Sequence, residues 1–83
     1  MVDVVEVKAL ESYRIWVRFS DGVEGVIDLS DLMGQGVFRE LAEPKEFAKI
    51  RVDPESRTVA WPNGVDLCPD ALYEDIKAQM KAA

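Results

Sequence analysis

Hydrophobic and polar residues alternate most regularly in residues 13–19, which read YRIWVRF. Successive side chains of a β-strand point to opposite sides of the sheet, so this alternation predicts a strand with one buried face. The predicted core face carries Tyr13, Ile15, Val17 and Phe19, and the predicted outer face carries Arg14, Trp16 and Arg18.

A turn and a second alternating segment follow this strand. Residues 20–22 read SDG, with an Asp-Gly pair that is typical of hairpins, and residues 23–29 read VEGVIDL. A two-residue loop would set Phe19 opposite Glu24 and mix apolar with charged faces, whereas a three-residue loop with Gly22 in a left-handed bulge keeps the faces separate. This loop pairs Phe19 with Val23, Ile15 with Ile27, Trp16 with Val26, Arg18 with Glu24 and Arg14 with Asp28. Both charge pairs have opposite signs, so hydrophobicity and charge predict the same register.

Residues 2–10, VDVVEVKAL, predict a third strand beside strand 13–19. Its expected core face carries Val5, Val7 and Ala9. We expect a register that sets Glu6 opposite Arg14 and Val4 opposite Trp16, because the alternative sets Lys8 against Arg14, a repulsive pair. Residues 2–29 thus predict a three-stranded antiparallel meander with strand 13–19 in the middle.

The rest of the chain predicts a short helical connection, a second hairpin and a final helix. Residues 30–33 and 37–41 favour single helical turns, and Pro44 suits the first position of a short helix that ends near Lys49. Residues 50–53 and 58–61 predict the second hairpin. Residues 69–82 predict a helix whose apolar stripe comprises Leu72, Ile76 and Met80, with Tyr73 nearby.

These elements predict a single α+β domain over residues 1–83, with the final helix packed on the sheet. A chain of 83 residues can bury one modest core. We expect Trp61 and Tyr73 to pack the corner at which the second hairpin meets the helix.

The excess of acidic over basic residues disfavours some classes of function. The chain has 16 acidic and 10 basic residues, a net charge of −6 and no basic block, which disfavours non-specific binding to a phosphate backbone. No apolar run approaches the length of a membrane span, and we expect no signal peptide. A single cysteine cannot form an internal disulfide, so we expect a reducing cytoplasmic location and no membrane association.

The residue types required for nucleophilic catalysis are incomplete. The chain has no histidine, so neither a Ser-His-Asp nor a Cys-His arrangement can form. Cys68 precedes the final helix, where a thiol can gain reactivity, but Asp70 and Glu74 disfavour a thiolate, and a structural cysteine is favoured. The carboxylates lack the spacing of a calcium loop. We predict no enzymatic activity, no cofactor and no metal.

Residues 61–70, WPNGVDLCPD, allow two interpretations. The favoured one is turn and cap chemistry between a strand and a helix, because prolines and an Asn-Gly pair end one element and begin the next. The alternative is a small-molecule or metal site formed by Asn63, Asp66, Cys68 and nearby carboxylates.

In the expected registers, Val4, Trp16 and Val26 form an apolar stripe across the outer face of the meander. The arginines beside Trp16 could suit nucleic acid, but acidic residues face them from both neighbouring strands, which favours cross-strand ion pairs. Either another element covers the stripe, or the stripe is a surface for protein contacts.

Three stretches carry a resemblance to a known family: residues 13–32, the spacing of Phe38, Leu41 and Phe47, and residues 58–73, TVAWPNGVDLCPDALY. The chain resembles the prokaryotic family called domain of unknown function 2442 over nearly its whole length. The resemblance implies a small α+β domain without assigned catalytic residues. It also implies members that occur alone or joined to a helix-turn-helix domain, some encoded beside other small proteins, as in toxin–antitoxin-like or regulatory pairs.

The sequence and the resemblance together favour a non-catalytic protein-binding or regulatory module, such as an antitoxin-like or transcription-regulator-associated partner. We expect its partner to be a protein or a second copy of the chain. Because the sequence ends one helix after the second hairpin, we expect no DNA-reading module and no direct nucleic-acid binding. The candidate interface or ligand residues are Trp16, Val4, Val26, Trp61, Asn63, Asp66, Cys68 and Tyr73.

Overall fold

The computed structural model describes residues 2–82, with the side chains described as far as residue 80. Five strands and two α-helices follow in the order β1 (Val4–Ala9), β2 (Arg14–Phe19), β3 (Glu24–Asp28), α1 (Pro44–Phe47), β4 (Arg51–Val52), β5 (Val59–Ala60) and α2 (Pro69–Ala82). Short 3-10 turns occupy Glu11–Tyr13, Ser30–Leu32 and Gly36–Ala42. The predicted mixed α+β architecture is confirmed, with a meander in the order β1-β2-β3 and a separate β4-β5 hairpin.

The hairpin of β2 and β3 has the register that charge and hydrophobicity predict. Ile15 pairs with Ile27, and Trp16 pairs with Val26. The loop closes with a hydrogen bond of 2.8 Å from the Phe19 amide to the Val23 carbonyl. Gly22 adopts a φ of 91°, a left-handed conformation that glycine enters without a steric penalty, as the three-residue loop requires.

The predicted register of β1 is wrong, as is the alternative that set Lys8 against Arg14. Glu6 pairs with Arg18 and Lys8 with Trp16, and an irregularity lies between Val4 and Glu6. The extra residue of this bulge turns Val4 into the core, where it is 2% exposed. Val5, expected in the core, is displaced to the surface and is 51% exposed.

The connection from β1 to β2 explains the error in register. The loop is tight because Ser12 and Tyr13 adopt positive φ values of 60° and 61°. Residues other than glycine seldom adopt this conformation, so propensity gives no indication of it. The Tyr13 hydroxyl donates a hydrogen bond to the Ala42 carbonyl, and its ring packs edge-on against Phe47. These contacts hold the loop in place.

The second hairpin lies against the edge of β1 that does not pair with β2. The Val4 amide donates a hydrogen bond of 3.0 Å to the Arg57 carbonyl. Thr58 is buried, and its hydroxyl donates to the Leu67 carbonyl at 2.7 Å, which fastens the hairpin to the segment before α2. This edge of the meander is therefore partly occupied.

Helix α2 packs on the core face of β3, as predicted. Leu72 and Ile76 are buried, but Met80, expected in the same stripe, is 58% exposed. The helix approaches the sheet closely because Gly25 has no side chain: a Cβ atom there would lie 3.0 Å from Cγ2 of Ile76. No helix among residues 2–82 combines the length and apolar character needed to cross a membrane.

Gly25→Ala tests this close contact. We expect the variant to lower the free energy of unfolding by about 1–3 kcal/mol, because the added methyl group overpacks the contact with Ile76. Gly34→Ala is the matched control, since its Cβ would meet no atom within 4 Å and should change stability by less than about 0.5 kcal/mol. Urea denaturation measures both values.

The same substitution in an Ile76→Ala background identifies the cause. Removing the Ile76 side chain removes the atoms that the new methyl group would strike, so Gly25→Ala should then lower stability by less than it does in the parent protein. Equal losses in both backgrounds would show that backbone strain, and not side-chain crowding, destabilises the variant.

Candidate functional site

The outer face of the meander presents an apolar pair with no cover from another element among residues 2–82. Trp16 is half-buried, and Val26, opposite it on β3, is 40% exposed. Helix α2 lies on the other side of the sheet, where Gly25 contacts Ile76. Val4, expected in this stripe, lies in the core because of the bulge in β1, so the stripe has two members instead of three.

Both arginines beside Trp16 are paired with carboxylates, although not as predicted in every case, whereas Lys8 and Glu24 make no ion pair within residues 2–80. Arg14 lies 3.9 Å from the carboxylate of Asp28, its predicted partner. Arg18 stands opposite Glu24 in the sheet, but its guanidinium bonds Glu6 of β1 at 2.8 Å. The observed register of β1 causes this choice, because it brings Glu6 directly across from Arg18.

Cations also cover the ring of Trp16. Lys8 Nζ lies 5.5 Å from the ring centroid, and the Arg18 guanidinium carbon lies 6.0 Å from it. The two cations cover part of the ring, so this tryptophan on the outer face is partly buried. The face is therefore an apolar centre with a mixed-charge border.

The 61–70 segment serves mainly to connect strand and helix. Trp61 is buried, and its indole nitrogen donates to the Phe47 carbonyl at 3.0 Å. The side-chain oxygen of Asn63 accepts the Val65 amide, an Asx turn, while its nitrogen donates to Glu40 at 3.3 Å. Asp66 is exposed and forms a bridge with Ala60 through its backbone. These contacts agree with the favoured interpretation as turn chemistry.

Trp61 and Tyr73, predicted to pack the corner at which the second hairpin meets the helix, pack against different aromatic residues. Trp61 packs against Phe38 and Phe47, with ring centroids 6.4 and 6.0 Å away. Tyr73 packs edge-on against Phe19 at 5.0 Å. The two residues therefore have different aromatic partners within one hydrophobic core.

A groove of about 300 Å³ lies between β3 and α2 and contains Cys68. Its walls are mainly apolar side chains, namely Ile27, Leu29, Leu32, Leu67, Ala71 and Leu72. Asp28, Asp31 and Asp75 also line it. Cys68 is a free, exposed thiol at the N-terminal end of α2. Within the described residues, no three potential ligands converge in a geometry that could hold a metal ion.

A second groove, of about 550 Å³, lies beside the strained loop before β2. It is lined by residues 9–13 and by Pro44, Phe47 and Ala48. This groove could not be predicted from the sequence, because its shape depends on the positive φ values of Ser12 and Tyr13. Leu10, an apolar residue at the end of the first predicted strand, lines the groove and is exposed.

The hairpin loop and α2 are joined by a hydrogen bond that perturbs both of its partners. The Tyr73 hydroxyl donates to the Asp21 carboxylate at 2.6 Å. This bond, helped by the Val23 amide, lowers the pKa of Asp21 from 3.8, and it raises the pKa of Tyr73 above 10.0. The pKa of Asp28 is also lowered, mainly by hydrogen bonds from Ser30 and also by Arg14. Both carboxylates remain charged at neutral pH.

Comparison with known proteins finds a family and a solved structure that resemble the chain. The family described as "Protein of unknown function (DUF2442)" matches residues 4–78. The crystal structure of "Putative DNA Binding Protein NE0471" from Nitrosomonas europaea ATCC 19718 has a TM-score of 0.69 and 22% sequence identity. The match covers 76% of this chain but only 41% of NE0471, so it shows a shared fold. No curated protein matches the chain.

Tyr73→Phe tests the link between the hairpin loop and the helix. Without the hydroxyl donor, the pKa of Asp21 should rise towards 3.8, which an NMR titration of the carboxyl group measures. Because the folded-state pKa of Asp21 is depressed, the bond stabilises the fold above pH 3.8, and the stabilisation is lost as pH falls through the folded-state value. It is also lost when Tyr73 ionises, above pH 10.0.

The difference in stability between the parent protein and Tyr73→Phe should therefore be constant at neutral pH and vanish at both extremes. Asp28, whose pKa is lowered by other groups, is the internal control and should titrate identically in both proteins. An unchanged pKa of Asp21 in Tyr73→Phe would contradict the assignment.

Proposed function

Because the chain belongs to the DUF2442 family, whose function is not assigned, we propose a function from its surface: a non-catalytic module that binds a partner protein. The supporting observation is the open outer face, on which Trp16 and Val26 lie inside a border of charged residues of both signs, two arginines of which are paired with carboxylates. Aromatic side chains surrounded by polar groups are typical centres of protein interfaces. The proposed role is regulatory, of the kind that an antitoxin or an accessory protein of a transcription regulator performs.

The chemistry of the side chains supports a binding role over an enzymatic one. The sequence has no histidine, and the three residues with perturbed pKa values are explained by structural hydrogen bonds. Neither perturbed carboxylate has a pKa raised towards neutrality, as a general acid or base would need. A net charge of −6 and a lone cysteine fit a protein that works in the cytoplasm.

The name of NE0471 refers to DNA binding, but the charges of this chain favour a different role. Arg14 and Arg18, two of the three cations beside Trp16, are each paired with a carboxylate on a neighbouring strand, and the third, Lys8, lies over the Trp16 ring. Contact with phosphates would require these ion pairs to break in a protein of net charge −6. We therefore propose that any role in transcription operates through a protein partner.

A second candidate function is small-molecule binding in the groove that contains Leu67 and Cys68, next to the 61–70 turn. Its apolar walls and carboxylates could accept a small organic cation. A thermal-shift screen of amines, metabolites and divalent ions tests this candidate, because a ligand that binds only the folded state raises the melting temperature. A flat response across the screen would eliminate it.

Trp16→Gln tests the proposed interface. We expect the variant to lose its partner in affinity capture from the native host, because the aromatic centre of the outer face is removed. Val37→Gln is the matched control: Val37 is 66% exposed and lies outside the sheet, so this variant should retain the partner. Sedimentation equilibrium of the purified protein shows whether the partner is a second copy.

The fold of both variants is checked by urea denaturation. Trp16 is half-buried on an open face, so Trp16→Gln should lower the free energy of unfolding by no more than about 1.5 kcal/mol. Full partner capture by a folded Trp16→Gln variant would contradict the proposal. Unfolding of the variant would assign Trp16 to the stability of the domain instead.

A further inference from the structure

Strand β3 forms an edge of the meander and has backbone groups available for pairing. The bonds from Phe19 to Val23 and from Leu29 to Tyr13 show which residues of β3 face β2, because this pattern alternates along an antiparallel pair. Gly25 and Ile27 direct their amide and carbonyl groups towards β2. Glu24, Val26 and Asp28 direct theirs away from it, and no backbone partner for them lies within residues 2–82.

The groove that contains Cys68 lies beside the C-terminal end of β3. Tyr73 projects from α2 towards Phe19 of β2, while Leu72 and Ile76 face the sheet. Ala71 and Asp75 lie on the side of the helix opposite Tyr73, since residues four apart share a face. They line the groove together with Ile27 and Leu29 of the β3 segment. An added strand would therefore lie beside β3 in the plane of the sheet, with alternate side chains pointing to the α2 side and into the apolar groove.

The acidic residues along the free edge of β3 determine which kind of strand can pair with it. Glu24 and Asp28 flank Val26 on the outer face, and Asp31 and Asp75 line the groove. Glu24 makes no ion pair within the described part of the chain. In a fully overlapped two-fold pairing of β3 with a second copy, Glu24 would face Asp28 of that copy, which is repulsive. The edge thus disfavours self-association and favours a cationic strand.

Strand β2 shows which sequence of side chains complements β3 in charge and hydrophobicity. Its outer residues are a cation, an apolar side chain and a second cation, and they stand opposite Asp28, Val26 and Glu24. The other edge of β3 presents the same three side chains at the same spacing. A strand with the same alternation would complement it in charge and in hydrophobicity.

We propose that the free edge of β3 binds an extended, cationic segment of a partner protein as an added antiparallel strand. This inference rests on the proposed binding function and specifies its partner. The segment carries a central residue opposite Val26, with Arg or Lys two positions before and after it, opposite Asp28 and Glu24. The residues one and three positions before the centre are apolar, because they stand opposite Ile27 and Leu29 and point into the groove.

A synthetic peptide tests the proposal by fluorescence polarisation. Its core reads Leu-Arg-Val-Val-Ser-Arg, with the second Val as the central residue, and Gly-Ser flanks carry the dye. We expect saturable binding that weakens with salt, since the ion pairs are exposed. A peptide with Glu in place of both Arg residues should bind at least about tenfold more weakly. Equal binding of the two peptides, or no binding of either, would overturn the proposal.

N-methylated peptides distinguish strand addition from general charge attraction. In an added strand, the amide of the central residue points to β3, and the amide of the next residue points away. Methylation of the central amide should abolish binding, whereas methylation of the next amide should leave affinity within about threefold. Equal sensitivity at both positions would contradict strand addition.

Two variants of Val26 test the edge from the protein side. Val26→Pro removes an amide that points away from β2, so the β2-β3 ladder keeps its hydrogen bonds while the edge loses a donor. Val26→Thr is the control, with a similar shape and an intact amide. Peptide binding should be lost in Val26→Pro and kept in Val26→Thr. If Val26→Pro does not fold, the N-methylated peptides decide the question alone.

The same variants separate this inference from the proposed function. A native partner that is lost with Trp16→Gln but binds Val26→Pro with unchanged affinity would overturn strand addition and leave the binding module intact. A protein that binds neither the peptide nor any partner in the native host would overturn both.

Discussion

The register between β2 and β3 is the constraint on which the other features of the molecule depend. The three-residue loop with Gly22 at a φ of 91° fixes this register. It places the apolar side chains of both strands under α2 and leaves Trp16 and Val26 on the outer face. It also determines that Gly25 lies beneath Ile76 and that Val26 presents its backbone to the free edge. A slip of one residue would exchange the two faces of β3 and remove both candidate surfaces.

The sequence predicted this hairpin because two independent signals, hydrophobic alternation and charge pairing, agreed on one register. The register of β1 was predicted wrongly. It depends on a bulge after Val4 and on positive φ values at Ser12 and Tyr13, and none of these features has a signature in residue type. The final helix followed from its 3–4 periodicity. The exposure of Met80 could not be predicted from this periodicity. The apolar stripe of α2 includes Met80, but only Leu72 and Ile76 are buried against the sheet.

The candidate site was predictable only in part. The pairing of Trp16 with Val26 followed from the register, whereas Val4 was assigned to the wrong face together with the rest of β1. Asn63, Asp66 and Cys68 were candidate ligand residues because of their polar side chains. The groove near Cys68 could not be predicted, because its shape depends on how α2 is rotated over β3. Such a rotation is set by the contact of Ile76 with Gly25, a tertiary contact that local pattern does not reveal.

Amide hydrogen exchange along β3, followed by NMR, tests the register most directly. We predict slow exchange at Gly25 and Ile27, whose amides bond β2, and fast exchange at Val26 in the unbound protein. We also predict a strong contact between the Hα protons of Trp16 and Val26, a pair that exchanges no hydrogen bonds and is therefore closely spaced. A protected Val26 amide with fast exchange at Gly25 would show a shifted register and contradict the account.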